Sequence, residues 1–285
     1  MRNILIPTDF SDNAMNAVKF ALELFKYDKS NVYFLHTYQD EVYHEIEEME
    51  SNSTIETIIK ERQLISDEKL DQLLKVVHEI WANPRHNYQK ISSYNALVDE
   101  IDLITDGKDI DIIVMGTKGQ TDDRSATFGS NTLQVLKYVS CPVLSVPANY
   151  TYTQPKHIAF PTNYLIPYKR RELKLLCEMA SPYRAIIDVL YISKSDKLSR
   201  RQEDNKRFLS EELCKNQLNF KTISNKSIVN AIFTYIKEHN VDMLVMVNTR
   251  HSFLEHMLFK STIDEMSLHL DIPFLAMQNI KRTSA

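Results

Sequence analysis

Three of the chain's four glycines, Gly116, Gly119 and Gly129, stand within fourteen positions of one another. At an average usage of about 7% a chain of this length would hold roughly 20, so this clustering is not loop filler. The segment reads Met115-Gly116-Thr117-Lys118-Gly119 and resumes, nine residues later, with Gly129-Ser130-Asn131. Glycine tolerates positive φ and lets main-chain N–H groups approach a ligand with no Cβ in the way. A helix opening at Gly129-Ser130 would add unpaired N–H donors and the positive end of its macrodipole, both suited to a phosphate. The Ser130 hydroxyl would supply a further donor or cap that helix. The chemistry indicated is the cradling of an anion. The loop is neither a Walker A motif, which needs adjacent Gly-Lys-Ser/Thr, nor a Gly-x-Gly-x-x-Gly fingerprint. Lys118 and Arg124 lie within it, either to neutralise phosphate charge or as solvated loop cations.

Such a loop needs a strand to deliver Gly116 and a helix to leave from Gly129. The apolar run 110–115 predicts the strand, and Leu133 and Leu136 mark the helix over 130–139. Upstream, 2–6 is a β-type run ended by Pro7-Thr8-Asp9, and Ser11 or Asp12 can cap a helix carrying Ala14, Ala17, Val18, Ala21, Leu22 and Phe25 at helical spacing. A second strand at 32–35 completes a βαβ unit, which implies a parallel sheet. The acidic piece 36–52 reads as a mobile connection or frayed helix start on a solvated face. A long helix is expected over 54–81, ended by Pro84, then a strand at 87–92, a helix at 95–105 with Gly107 as its C-terminal cap, and a last strand at 141–146.

The polar stretch 147–155 reads as a linker. Beyond it the pattern restarts: Pro161-Thr162-Asn163 stands where Pro7-Thr8-Asp9 stood, and Met243-Leu244-Val245-Met246-Val247 follows Ile112 to Gly116 at an offset of 131, which also carries Phe128 to Phe259, Ser130 to Ser261 and Pro142 to Pro273. A repeat of this size predicts two copies of one domain, over 1–148 and 155–281. At that offset Gly116 becomes Val247, Gly119 becomes Arg250 and Gly129 becomes Lys260, so the second copy is expected to have lost the cradle. Arg250, His251 and Lys260 could still draw an anion through their side chains, or be solvated.

Composition narrows the class. The 285 residues carry a net charge of −4 with 25% charged residues, ordinary for a globular protein and without a basic footprint for nucleic acid. No apolar run reaches the roughly 18 residues of a membrane span, and no leader precedes the first strand, so a cytoplasmic protein without membrane contact is expected. Cys141, Cys177 and Cys214 are scattered, which argues against a disulfide frame or a structural metal site.

The spacing Gly116-x2-Gly119-x9-Gly129-Ser130, with Pro7-Thr8-Asp9-Phe10-Ser11, Leu35-His36 and Cys141-Pro142-Val143-Leu144, resembles the universal stress protein family. That resemblance implies tandem α/β units, each an open, doubly wound, Rossmann-like parallel sheet of order 3-2-1-4-5. It implies ATP, with Mg²⁺ on its phosphates, at the carboxyl ends of the first and fourth strands, held by Pro7, Thr8, Asp9, Thr37, Met115, Gly116, Lys118, Gly119, Gly129, Ser130 and Asn131. Asp9 would accept hydrogen bonds from the ribose or adenine side, unless it serves only as a helix-start cap, and Thr37 would meet the base through its backbone. The last strands, 143–146 and 274–277, would pair within the chain as a pseudo-dimer; homodimerisation and protein partners stay open.

Asp122 and Asp123 are the only carboxylates of the loop, and no nucleophile, base and orienting group stand together near it. A nucleotide-binding regulatory module involved in stress response, not an enzyme, is therefore the first expectation. The alternatives are a scaffold that works by protein contact and a slow ATPase.

Overall fold

A computed structural model describes residues 1–48, 54–119, 128–166, 168–193, 197–213, 215–225, 227–248 and 270–278. The first half runs β1 (Arg2–Pro7), α1 (Asp12–Leu24), β2 (Ser30–Thr37), α2 (Gln39–Glu48), α3 (Ile55–Ile80), β3 (His86–Ser93), α4 (Leu97–Gly107), β4 (Ile112–Gly116), α5 (Ser130–Tyr138) and β5 (Val143–Val146). The second runs β6 (His157–Thr162), α6 (Arg170–Ala180), β7 (Ile186–Ile192), α7 (Arg200–Glu212), β8 (Gln217–Ile223), α8 (Ile228–Glu238), β9 (Met243–Asn248) and β10 (Phe274–Gln278).

The ten strands among the described residues join one open sheet of order β3-β2-β1-β4-β5-β10-β9-β6-β7-β8. Within each half the pairing is parallel; where the halves meet, β5 and β10 pair antiparallel, Leu144 opposite Leu275. The expected pairing of the two last strands is thus present, and it covers two edges that would otherwise offer unpaired backbone groups. The registers repeat as the sequence does: Ile113 faces Val143 and Gly116 faces Val146, while Leu244 faces Phe274 and Val247 faces Met277.

Side chains alternate across the sheet, as the period of two requires. Ile4, Ile6, Val32, Phe34 and Val114 pack on one face against Ala17, Ala21 and Leu24 of α1 and Leu70, Leu73 and Val77 of α3. Leu5, Leu35, Ile113 and Met115 pack on the other against Ile101 and Ile104 of α4 and Val135 and Leu136 of α5. Because β2 lies on one side of β1 and β4 on the other, the strand order reverses beside β1. A crevice opens there at the carboxyl ends.

Three local readings become more definite. Of the two kept for the acidic stretch after β2, a mobile connection or a helix start, Gln39–Glu48 takes the helical one as α2: Val42 with Tyr38 and Ile46 forms an apolar contact with Ile58 and Ile59, and Arg62 bridges Glu45 and Glu41 at 2.5 and 3.4 Å. Gly107 is the last residue of α4, not its cap; Lys108 follows, and the left-handed turn falls on Asp109, φ 47°. The linker is strapped down: the Asn16 amide donates to the carbonyls of Pro147 and Tyr150, and the Tyr150 and Tyr152 rings pack edge-on against Phe20. The segment after β9 that would repeat the cradle, with Phe259, Lys260 and Ser261, lies outside the described residues, as do Cys214, Asp122, Asp123, Arg124, Arg250 and His251.

Candidate functional site

The turn after β1 is built by its own side chains. Thr8 Oγ1 accepts from the Phe10 N–H at 3.0 Å, and Asp9 Oδ1 accepts from the Ser11 N–H at 3.0 Å and the Ser11 hydroxyl at 2.6 Å. Phe10 is held in the left-handed region, φ 62°, which a bulky residue seldom adopts. Ser11, not Asp12, then caps α1, its Oγ accepting from the Ala14 N–H at 3.1 Å.

On the far side of the crevice β4 ends at Gly116. The Asn13 amide reaches across from α1 and donates to the Lys118 carbonyl at 2.6 Å. A Cβ on Gly116 would fall 2.7 Å from Asn13 Nδ2 and 2.8 Å from its Cγ, closer than real contacts allow. This glycine is therefore demanded by close approach. No glycine among the described residues has positive φ, so the conformational reason expected from the sequence does not apply at Gly116. The two ends of the loop are tied together: the Gly129 N–H donates to the Thr117 carbonyl at 2.7 Å, and the Thr132 hydroxyl to the Gly116 carbonyl at 2.9 Å. Gly129, with φ −73°, is the N-cap of α5 and has no side chain with which to cap it; Ser130, expected as a possible cap, is the first helical residue. Ser130, Asn131 and Thr132 of the first helical turn face the crevice.

These elements enclose a cavity of about 390 Å³. Every residue assigned to a ligand from the sequence lines it, Pro7, Thr8, Asp9, Thr37, Met115, Gly116, Lys118, Gly119, Ser130 and Asn131, with the exception of Gly129, which sits behind as the cap. The wall also includes His36, Asp40, Glu41 and His44, which sequence reasoning missed. Their signal was present in His36 at the strand end and in the four-residue spacing of Val42 and Ile46, masked by the acidic run around them.

The cavity lining carries both signs of charge: Asp9, Asp40 and Glu41 as well as Lys118, with α2 following β2 on one side of β1 and α5 following β4 on the other. The hydrogen bond from His36 holds the Glu41 carboxyl below its usual range, against the opposing pull of burial, with Lys69 and Arg62 assisting. His36 is itself buried at 4% exposure, Nε2 lying 3.3 Å from Glu41 Oε1 and Nδ1 2.8 Å from Ser66 Oγ, which continues to Ser92 Oγ at 2.7 Å.

Residues 1–147 match the model of the universal stress protein family. The chain belongs to that family. It is similar to a universal stress protein of Methanocaldococcus jannaschii, 30% identical over 145 residues, which span 51% of this chain and 81% of that protein. The fold is shared along nearly the whole universal stress protein chain. A universal stress protein of Archaeoglobus fulgidus superposes with TM-score 0.70 at 16% identity, covering 97% of this chain and 98% of that one. A putative universal stress protein of Pseudomonas aeruginosa gives 0.57 at 14% identity, covering 98% and 93%. Among the described residues no helix is long and apolar enough to cross a membrane.

Proposed function

We propose that this universal stress protein is a nucleotide-binding regulatory module in stress response, with ATP held by the first of two repeated units, 1–148 and 155–281. The observation that supports it is one cavity whose lining brings together carboxylates, a lysine and the first turn of a helix. Hydrogen-bond acceptors of Asp9 and Glu41 suit the hydroxyl and amino donors of a nucleoside, and Lys118, Gly119 and the N-terminal turn of α5 suit its phosphates. The volume of about 390 Å³ is within the range of small-molecule sites. Among the described residues no three metal-ligating side chains cluster, so Mg²⁺ enters this reading on the phosphates alone.

Calorimetry with ATP, adenosine and inorganic triphosphate tests the reading. Each fragment should engage one end of the cavity, and ATP should bind at least about a hundredfold more tightly than either, since linking two binding groups makes the second contact intramolecular. ATP binding no tighter than triphosphate would remove the nucleoside end from the account.

A further inference from the structure

Glu41, His36 and Ser66 are connected as carboxylate, imidazole and hydroxyl, the order of a hydrolytic triad. The hydroxyl end cannot attack anything: Ser66 is 1% exposed and hydrogen-bonded to Ser92. The exposed end is the carboxylate, which lines the cavity. The chain of contacts therefore runs in the opposite sense, from a buried anchor outward to an oriented acceptor. With the Nε2 proton directed at Glu41, Nδ1 accepts from the Ser66 hydroxyl, and Ser92 must then donate to Ser66. Arg62 Nη1, at 3.4 Å, fixes the other carboxylate oxygen, Oε2. Asp40, also on α2, is exposed and lacks this support.

Packing alone does not call for an imidazole here. The Phe10 and His36 rings lie 4.7 Å apart, and the second half repeats that ring contact with Tyr164 and Tyr191 at 5.3 Å. Tyr191 stands at the register position of His36, since Pro7 pairs with Leu35 and Pro161 with Leu190. What the first half adds is two ring nitrogens, both committed to polar partners, behind a carboxylate at the cavity wall.

We infer that Glu41, oriented from behind by His36, Ser66 and Ser92, is the acceptor that reads an exocyclic amine on the nucleotide base, so that the cavity selects an amino-bearing purine over its oxo counterpart. This rests on the nucleotide reading above. Glu41 belongs to the helix that follows β2, whereas Lys118 and α5 follow β4, and these two strands flank β1 on opposite sides; with phosphates on Lys118 and α5, Glu41 is left for the base. A carboxylate accepts from an amine and repels a carbonyl oxygen, so the oxo purine loses a charge-assisted hydrogen bond and meets like polarity in its place.

The test is calorimetry on the full chain with Mg²⁺ and ATP, inosine triphosphate or inorganic triphosphate. The wild-type protein should prefer ATP to inosine triphosphate by at least about tenfold. Glu41→Gln, whose amide can present either a donor or an acceptor, should bring that ratio close to one, as should Glu41→Ala, with triphosphate binding unchanged in both. Ser66→Ala should shrink the ratio without touching triphosphate affinity, an effect that a purely structural serine would not produce. Equal affinity for the two purines, or a preference intact in both Glu41 variants, overturns the inference and leaves the nucleotide reading standing. Failure of all three ligands to bind the wild-type protein overturns both.

Discussion

The two halves build the same first turn and part company at the second. After β1, Thr8 and Asp9 accept from the N–H groups of Phe10 and Ser11; after β6, Thr162 and Asn163 accept from those of Tyr164 and Leu165, at 2.9 and 2.8 Å. Phe10 and Tyr164 share the left-handed backbone, φ 62° and 55°. This turn is a structural device, and Asn163 shows that it needs a side-chain oxygen but no charge. The turn does not require the charge of Asp9, whose side chain belongs to the cavity lining. At the second connection the halves differ in kind: β4 ends on Gly116 against Asn13, whereas β9 carries buried Val247 at the same register. Shared geometry marks what the fold requires, and the divergent positions mark what one half does.

The largest effect should come from copying the second half into the first. Gly116→Val forces Asn13 off the Lys118 carbonyl, so ATP affinity should fall at least about a hundredfold, with a stability loss of about 1–3 kcal/mol from overpacking; calorimetry and urea unfolding read the two separately. Asn13→Ala, which keeps the glycine and removes the clamp, should give an intermediate loss. Asp9→Asn reproduces Asn163: stability should stay within about 0.5 kcal/mol, while ATP binding weakens about tenfold, as expected for a charged hydrogen-bond partner. If Asp9→Asn instead unfolds the protein, the turns are not equivalent.

A smaller effect distinguishes the starts of α1 and α6. Glu172, in the first turn of α6 and 4% exposed, has its carboxyl pushed up to about 7 by burial, which outweighs the Lys169 N–H and ammonium. The unfolded chain loses this proton near the ordinary carboxylate pKa and the folded chain only near 7. The group's contribution is therefore whole at acidic pH and declines as pH rises across that window. Glu172→Gln should leave the melting temperature near wild type at pH 5 and raise it by about 2–6 °C at pH 8. Ser11→Ala removes the α1 cap and should cost about 1 kcal/mol. Lys169, the corresponding residue before α6, offers no acceptor, so its replacement by alanine should not cost a cap.

Much of this was legible in the residues. The offset of 131 survives as matched strand registers because both halves repeat the same alternation of buried residues, and the glycine cluster marks the crevice. The need for Gly116 could be read, but its cause could not: the clash is with Asn13, far away in sequence, and no local pattern encodes such an approach. The α2 wall was hidden for a related reason. Its apolar contacts are few and its acidic groups are neutralised by Arg62, which lies on another helix.

On the proposed reading the first half binds nucleotide and the second does not. Calorimetric titration of the full chain with ATP and Mg²⁺ tests it most directly, beside Gly116→Val and Gly129→Lys, which carry Val247 and Lys260 into the first half, and the converse Val247→Gly. One site per chain is expected, lost in both first-half variants and unchanged in Val247→Gly. Two sites per chain, or one that persists in Gly116→Val, would contradict it.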